Sequence, residues 1–158
     1  MGDPQTAFPL PRGATGFRHV SEPPLPDTDP EDCRAAWQAA ALAAGGRVED
    51  FVEECYPQNF HSATLTDREG AAHVALFHVH HPLVAFVDER RFGYTDEFED
   101  PPPWAAPLTD AGFTVLSAAV LRSPFSEADT SALAETERSE IDYWQPETIG
   151  TAVFNMWD

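Results

Sequence analysis

The residues best equipped for chemistry are histidines. His61, His73, His78, His80 and His81 crowd into one stretch of the chain. His78 and His80 lie two apart, so an extended strand presents both on one face. Two imidazoles at that spacing hold zinc or non-haem iron when a neighbour supplies a third ligand. His61 or Cys55 is available for that role. The usual supporting motifs are missing: there is no paired-cysteine motif and no His-Glu-x-x-His helix. The plainer expectation is that His80-His81-Pro82 forms a polar turn and that His78 is a hydrogen-bonded strand residue. A metal-dependent enzyme or small-molecule binder using His61, His78 and His80 is the rival reading; the leading one expects no metal and no cofactor.

Nucleophilic catalysis can be assembled on paper from Cys55 with His61, or from Ser62 with His73. Neither pair sits in a nucleophile elbow or carries a third group to orient the base. Glu53 and Glu54 beside Cys55 disfavour its thiolate. Cys33 and Cys55 are expected to be free thiols of a reducing compartment rather than a disulfide framework. Gly45-Gly46 and Gly13-Ala14-Thr15-Gly16 are not phosphate loops, and the chain has no lysine to complete one.

Charge excludes more. Against 27 acidic residues stand 9 basic ones, all arginine, for a net charge of -18. Nucleic acid and anionic membrane both require clustered positive charge, so neither is expected as a direct partner. No apolar run approaches the length of a membrane span. The N-terminal residues lack a basic segment followed by an apolar one, which predicts a cytoplasmic protein. Arginine without lysine, with abundant alanine and proline, is the codon signature of a GC-rich bacterial genome.

The strongest functional signal is an acidic and aromatic segment. From Asp88 to Asp110 seven acids and two arginines are interleaved with Phe92, Tyr94, Phe98 and Trp104. Aromatic rings anchor interfaces, and surrounding acids suit a basic partner. The expected contact residues are Asp88, Glu89, Tyr94, Asp96, Glu97, Phe98, Glu99, Asp100 and Trp104. The competing expectation is a solvated loop whose rings turn inward over the sheet edge.

The tail is also aromatic. Tyr143-Trp144-Gln145-Pro146-Glu147-Thr148-Ile149-Gly150 is followed by Phe154-Asn155-Met156-Trp157-Asp158. A closing segment sealed by Ile149, Val153 and Trp157 is the first expectation, and a binding role for Trp157 the second. This ending resembles that of small bacterial proteins associated with the immunity partners of secreted toxins. The resemblance covers only Tyr143–Asp158 and transfers no functional residue. It implies an inhibitor that occludes a basic partner, such as the nuclease domain of a secreted toxin.

The elements that must position these groups follow from periodicity. Residues 1–28 are proline-rich and predict an irregular arm, pinned by Phe8, Phe17 and Leu25. Asp29-Pro30-Glu31-Asp32 opens a helix that Gly45-Gly46 closes. Strands are expected over 47–54, 60–65, 72–80 and 83–88, with a turn at Asp67–Gly70. A short helix at 104–111, a fifth strand at 113–116 and a helical turn at 118–121 come next. A helix capped by Asp129, Thr130 or Ser131 carries Leu133, Glu137, Ile141 and Trp144. Pro146 opens the last helix, in which Ile149, Val153, Met156 and Trp157 share a face. Consecutive strands without helical crossovers predict an α+β domain over 29–158. Its antiparallel sheet of about five strands is packed on one face by the N-terminal helix and the C-terminal helices.

Overall fold

A computed structural model describes residues 8–55, 57–88 and 98–157. The class is α+β, with a mostly antiparallel sheet. In chain order the elements are β1 (Phe8–Pro9), α1 (Pro30–Ala43), β2 (Arg47–Val52), β3 (Phe60–Thr66), β4 (Ala72–His78), β5 (Leu83–Val87) and β6 (Phe98–Glu99). Then come α2 (Ala106–Asp110), β7 (Thr114–Val115), α3 (Ala118–Arg122), β8 (Ala128–Asp129), α4 (Glu135–Trp144) and α5 (Ile149–Val153).

The start and stop signals of α1 act as their chemistry dictates. The Asp29 side chain accepts the Glu31 N–H at 2.9 Å, Pro30 holds the first helical position, and Glu31 and Asp32 face the positive end of the dipole. Gly46 is required by proximity: a Cβ there would lie 1.7 Å from the Thr66 carbonyl oxygen, where the chain leaving α1 crosses the end of β3.

Strands β2 to β6 run in spatial order, each antiparallel to the next. The far edge of β5 is divided. Phe86 and Val87 pair with Glu99 and Phe98 of β6, whereas Leu83 and Val84 pair parallel with Thr114 and Val115 of β7. That parallel pair departs from the purely antiparallel expectation. The segment containing α2 provides the long crossover that parallel pairing needs.

The helices are shared between two faces rather than gathered on one. Ala75, Phe77, Val84 and Phe86 pack against Cys33, Trp37, Ala40 and Ala41 of α1. The alternate residues Val74, Leu76, Ala85 and Val87 pack against Leu121, Ile149, Val153 and Phe154. Adjacent side chains of a strand point to opposite faces, so both faces are buried. This is why β5 reads as an unbroken apolar run. Gly150 permits the second layer to close, since a Cβ would lie 2.5 Å from the Phe98 ring.

Strands β2 and β4 each end two residues earlier than expected, at Val52 and His78, and α5 opens at Ile149, capped by Thr148, rather than at Pro146. Helix α4 begins at Glu135 rather than just after Asp129–Ser131, because Ala128–Asp129 is held in β8 by parallel pairing with Phe8–Pro9. Helix α5 stops at Val153. Phe154 turns extended and fills the core, while Trp157 is left half-buried instead of sealing it.

Candidate functional site

The stretch of the arm around residues 10–15 is built into the core, and polar side chains hold it there. Leu10, Ala14 and Thr15 are buried. The bends of the arm leave backbone groups without ladder partners, and buried polar groups must find others. Glu137, fully buried, provides four acceptor contacts. Its Oε1 accepts the N–H of Gly13 (2.9 Å) and Ala134 (3.1 Å); its Oε2 accepts the N–H (3.1 Å) and hydroxyl (2.7 Å) of Thr15. Asn155 Nδ2 donates to the Thr15 carbonyl at 3.0 Å, and Asn59 Nδ2 to the Val153 carbonyl at 2.8 Å.

Three of the histidines belong to the same seam. His78 Nδ1 accepts the N–H groups of His80 (3.0 Å) and His81 (3.2 Å), which turns the chain out of β4. Its Nε2 then carries the proton and donates to the Ala14 carbonyl at 2.8 Å. Burial pushes the His78 pKa down to about 3, with further lowering from His81, His80 and His61. His81 Nε2 contacts the Arg12 carbonyl and His80 Nδ1 the Pro26 carbonyl, each at 2.8 Å. His78 therefore has no nitrogen lone pair left for a metal.

The rival ligand set does not converge. In the β3–β4 register Phe60 faces His78 and His61 faces Phe77. His61 thus points to the α1 side of the sheet and His78 to the opposite side. His61 Nδ1 accepts the Glu54 N–H at 2.9 Å, its Nε2 is buried without a partner, and burial lowers its pKa. Among the described residues, no group of three or more His, Cys, Asp or Glu side chains is placed to hold a metal. The paper nucleophiles fare no better. Ser62 and His73 lie on opposite faces of the sheet by the same register. Cys55 is exposed and Cys33 is a buried free thiol, pushed up to about 12 by burial and then by Asp32 and Asp29.

His73 is held by a carboxylate, and His80 Nδ1 lies 3.5 Å from Asp27 Oδ1. His73 Nε2 meets Asp67 Oδ2 at 2.8 Å, and its ring stands edge-on to Trp104 at 4.9 Å. The His73 hydrogen bond, followed by the Ala71 N–H, lowers the Asp67 pKa. Asp67 Oδ1 also accepts the N–H groups of Glu69 (2.8 Å) and Ala71 (3.0 Å), so the pair staples the β3–β4 turn.

The anticipated contact residues divide. Glu89, Tyr94, Asp96 and Glu97 lie outside the described residues. Phe98 is fully buried beneath Gly150 and belongs to the core. Trp104 is half-buried and turned inward against Trp37 and Phe86. Asp100 is exposed, yet its Oδ1 accepts the Ala118 N–H at 2.9 Å at the start of α3. Asp88 and Glu99 are exposed. Burial, then the neighbouring Asp88 carboxylate, raises the Glu99 pKa. The described part of this segment therefore offers negative charge without an outward aromatic anchor.

Outward rings occur instead at the tail. Phe17 and Trp157 stack at 6.2 Å, Trp157 and Trp144 lie parallel within 6° at 5.9 Å, and Tyr143 meets Trp144 edge-on at 5.2 Å. Tyr143 is 78% exposed and Trp144 38%. Trp144 Nε1 donates to Glu140 at 3.1 Å, which fixes the indole, and Asn155 Oδ1 accepts the Trp157 N–H at 3.2 Å. Phe17 and Trp157 also line a groove of about 330 Å³ that contains Asp27, Glu54 and Gln58. Aromatic density in the tail signals part of this arrangement. The contribution of Phe17 is hidden, because it comes from the opposite end of the chain.

No protein-family model matches the chain, and neither a curated protein nor a solved structure matches it. Among the described residues, no helix is long and apolar enough to cross a membrane.

Proposed function

We propose that this is an acidic, non-catalytic binding protein that occludes a basic protein partner, as an immunity protein does with a secreted bacterial toxin in the cytoplasm. The observation that carries this reading is the combination of a net charge of -18 with rings left open at the surface. An isolated domain gains nothing from holding Tyr143 in water, whereas an interface gains an anchor. The arrangement of the histidines supports the same side. His78, His80 and His81 are engaged with the backbone of the arm and its turn, which weighs against the histidine-based enzyme.

Mechanistically, exposed carboxylates, Asp88 and Glu99 among them, stand in for the phosphates of the partner's substrate and steer the encounter. Aromatic anchors then slow dissociation. The test is calorimetric titration of the purified protein against basic products of its neighbouring genes. A one-to-one complex that weakens steeply as salt rises supports the reading. Salt-indifferent binding, or no basic binding partner among those products, contradicts it.

A further inference from the structure

The groove and the aromatic ladder are continuous. Phe17 and Trp157 are the inner rungs of the ladder and also a wall of the groove, in which Asp27 and Glu54 are exposed carboxylates. Arg18 lines the groove too, but its Nε is held by the carbonyls of Glu22 (3.1 Å) and Pro23 (3.0 Å). An aromatic wall beside two carboxylates selects for one kind of cation. It must be flat enough to stack, weakly hydrated, and rich in donors that reach a carboxylate. Guanidinium meets all three conditions; ammonium is compact and strongly hydrated.

The molecule already contains this contact once. The guanidinium of Arg34 lies over the Phe51 ring at 4.6 Å from its centroid and donates to Glu53 at 2.6 Å. Ring, guanidinium and glutamate thus meet in one contact elsewhere in the chain.

We propose that the groove and the ladder form a single subsite for an arginine side chain of the basic partner. The guanidinium stacks on the Phe17 ring where it lines the groove, Trp157 being already stacked between Phe17 and Trp144, and donates to Glu54 and to Asp27, whose Oδ1 also lies 3.5 Å from His80 Nδ1, while Trp144 and Tyr143 cover the residues flanking that arginine. This inference rests on the binding-protein reading above and adds the chemistry and place of the anchor.

The test uses the full chain and two peptides of equal length and charge, one arginine-rich and one lysine-rich. Each is titrated at low and at physiological salt while tryptophan fluorescence is followed. The arginine peptide is expected to bind about tenfold more tightly, as stacking between a guanidinium and an aromatic ring requires. Glu54→Gln should remove most of that preference, whereas Tyr143→Ala should weaken both peptides alike. Both positions are exposed, so unchanged circular dichroism and melting confirm that the variants fold. If both peptides bind equally and the variants change nothing, the subsite is overturned while the acidic binding reading survives. If neither peptide binds even at low salt, both are overturned.

Discussion

The seam that holds the arm and the ladder at the tail use similar raw material to opposite effect. In the seam, groups that look catalytic in sequence are engaged with the backbone. Glu137 satisfies four donors and His78 satisfies three backbone groups, both out of contact with water. At the tail, rings that look like core residues in sequence stand open, beside exposed carboxylates. Residue type alone does not separate structure from function here. What separates them is whether hydrogen-bonding capacity and apolar area are already used within the chain.

The largest break in this comparison should come from the seam. Glu137→Ala strands three backbone N–H groups and a hydroxyl at a buried position, and should cost about 5 kcal/mol or more. Urea melts would show this as a collapsed midpoint or as failure to fold. A loss under about 1 kcal/mol would mean that the arm is held by other contacts. Next comes the core between the layers. Phe86 is 2% exposed and packs on Trp37 and Trp104, so Phe86→Ala should cost roughly 3–5 kcal/mol in the same assay.

A pH effect of intermediate size follows from His78. Its pKa is about 3 in the fold against an ordinary 6.5, so the unfolded chain binds the extra proton between those values. Stability is fully present above pH 6.5 and is lost as pH falls toward 3. Between pH 6.5 and about 5, before most carboxylates titrate, the loss should be on the order of 2 kcal/mol. The lowered pKa of His61 acts in the same direction. Denaturant melts across this window should show the decline, and His78→Gln, though less stable throughout, should show a shallower one. The smallest stability effect belongs to the ladder: Tyr143→Ala should change the melt by less than about 0.5 kcal/mol, since its side chain is exposed.

These contrasts show what was legible in the sequence. Helix α1 was, because Asp29, Pro30 and Gly46 are local signals with local consequences. So were the turn at Asp67 and the apolar strands β4 and β5. The division of the helices between two faces was not, because alternating apolar residues on β4 do not state which helix covers which side. The start of α4 is not legible for a related reason: β8 is held by Phe8–Pro9, a pairing across most of the chain that no local pattern announces. Glu137 sits at a position of apolar period, which marks it only as part of a helix face. Its role as an acceptor for Gly13 and Thr15 depends on a fold that only the whole chain defines. Of the expected contact segment, its acidity was legible, whereas the inward turn of Phe98 and Trp104 depends on how tightly Gly150 and Trp37 pack.

The measurement that tests the central distinction most directly is an amide-resolved NMR titration of the full chain with the arginine-rich peptide. Every region is then read at once and in one sample. The account predicts shifts at Phe17, Glu54, Gln58, Tyr143, Trp144 and Trp157, with the seam amides of Gly13 and His81, which do not line the groove, unmoved. Shifts centred on Gly13 and His81, with the ladder silent, would contradict it.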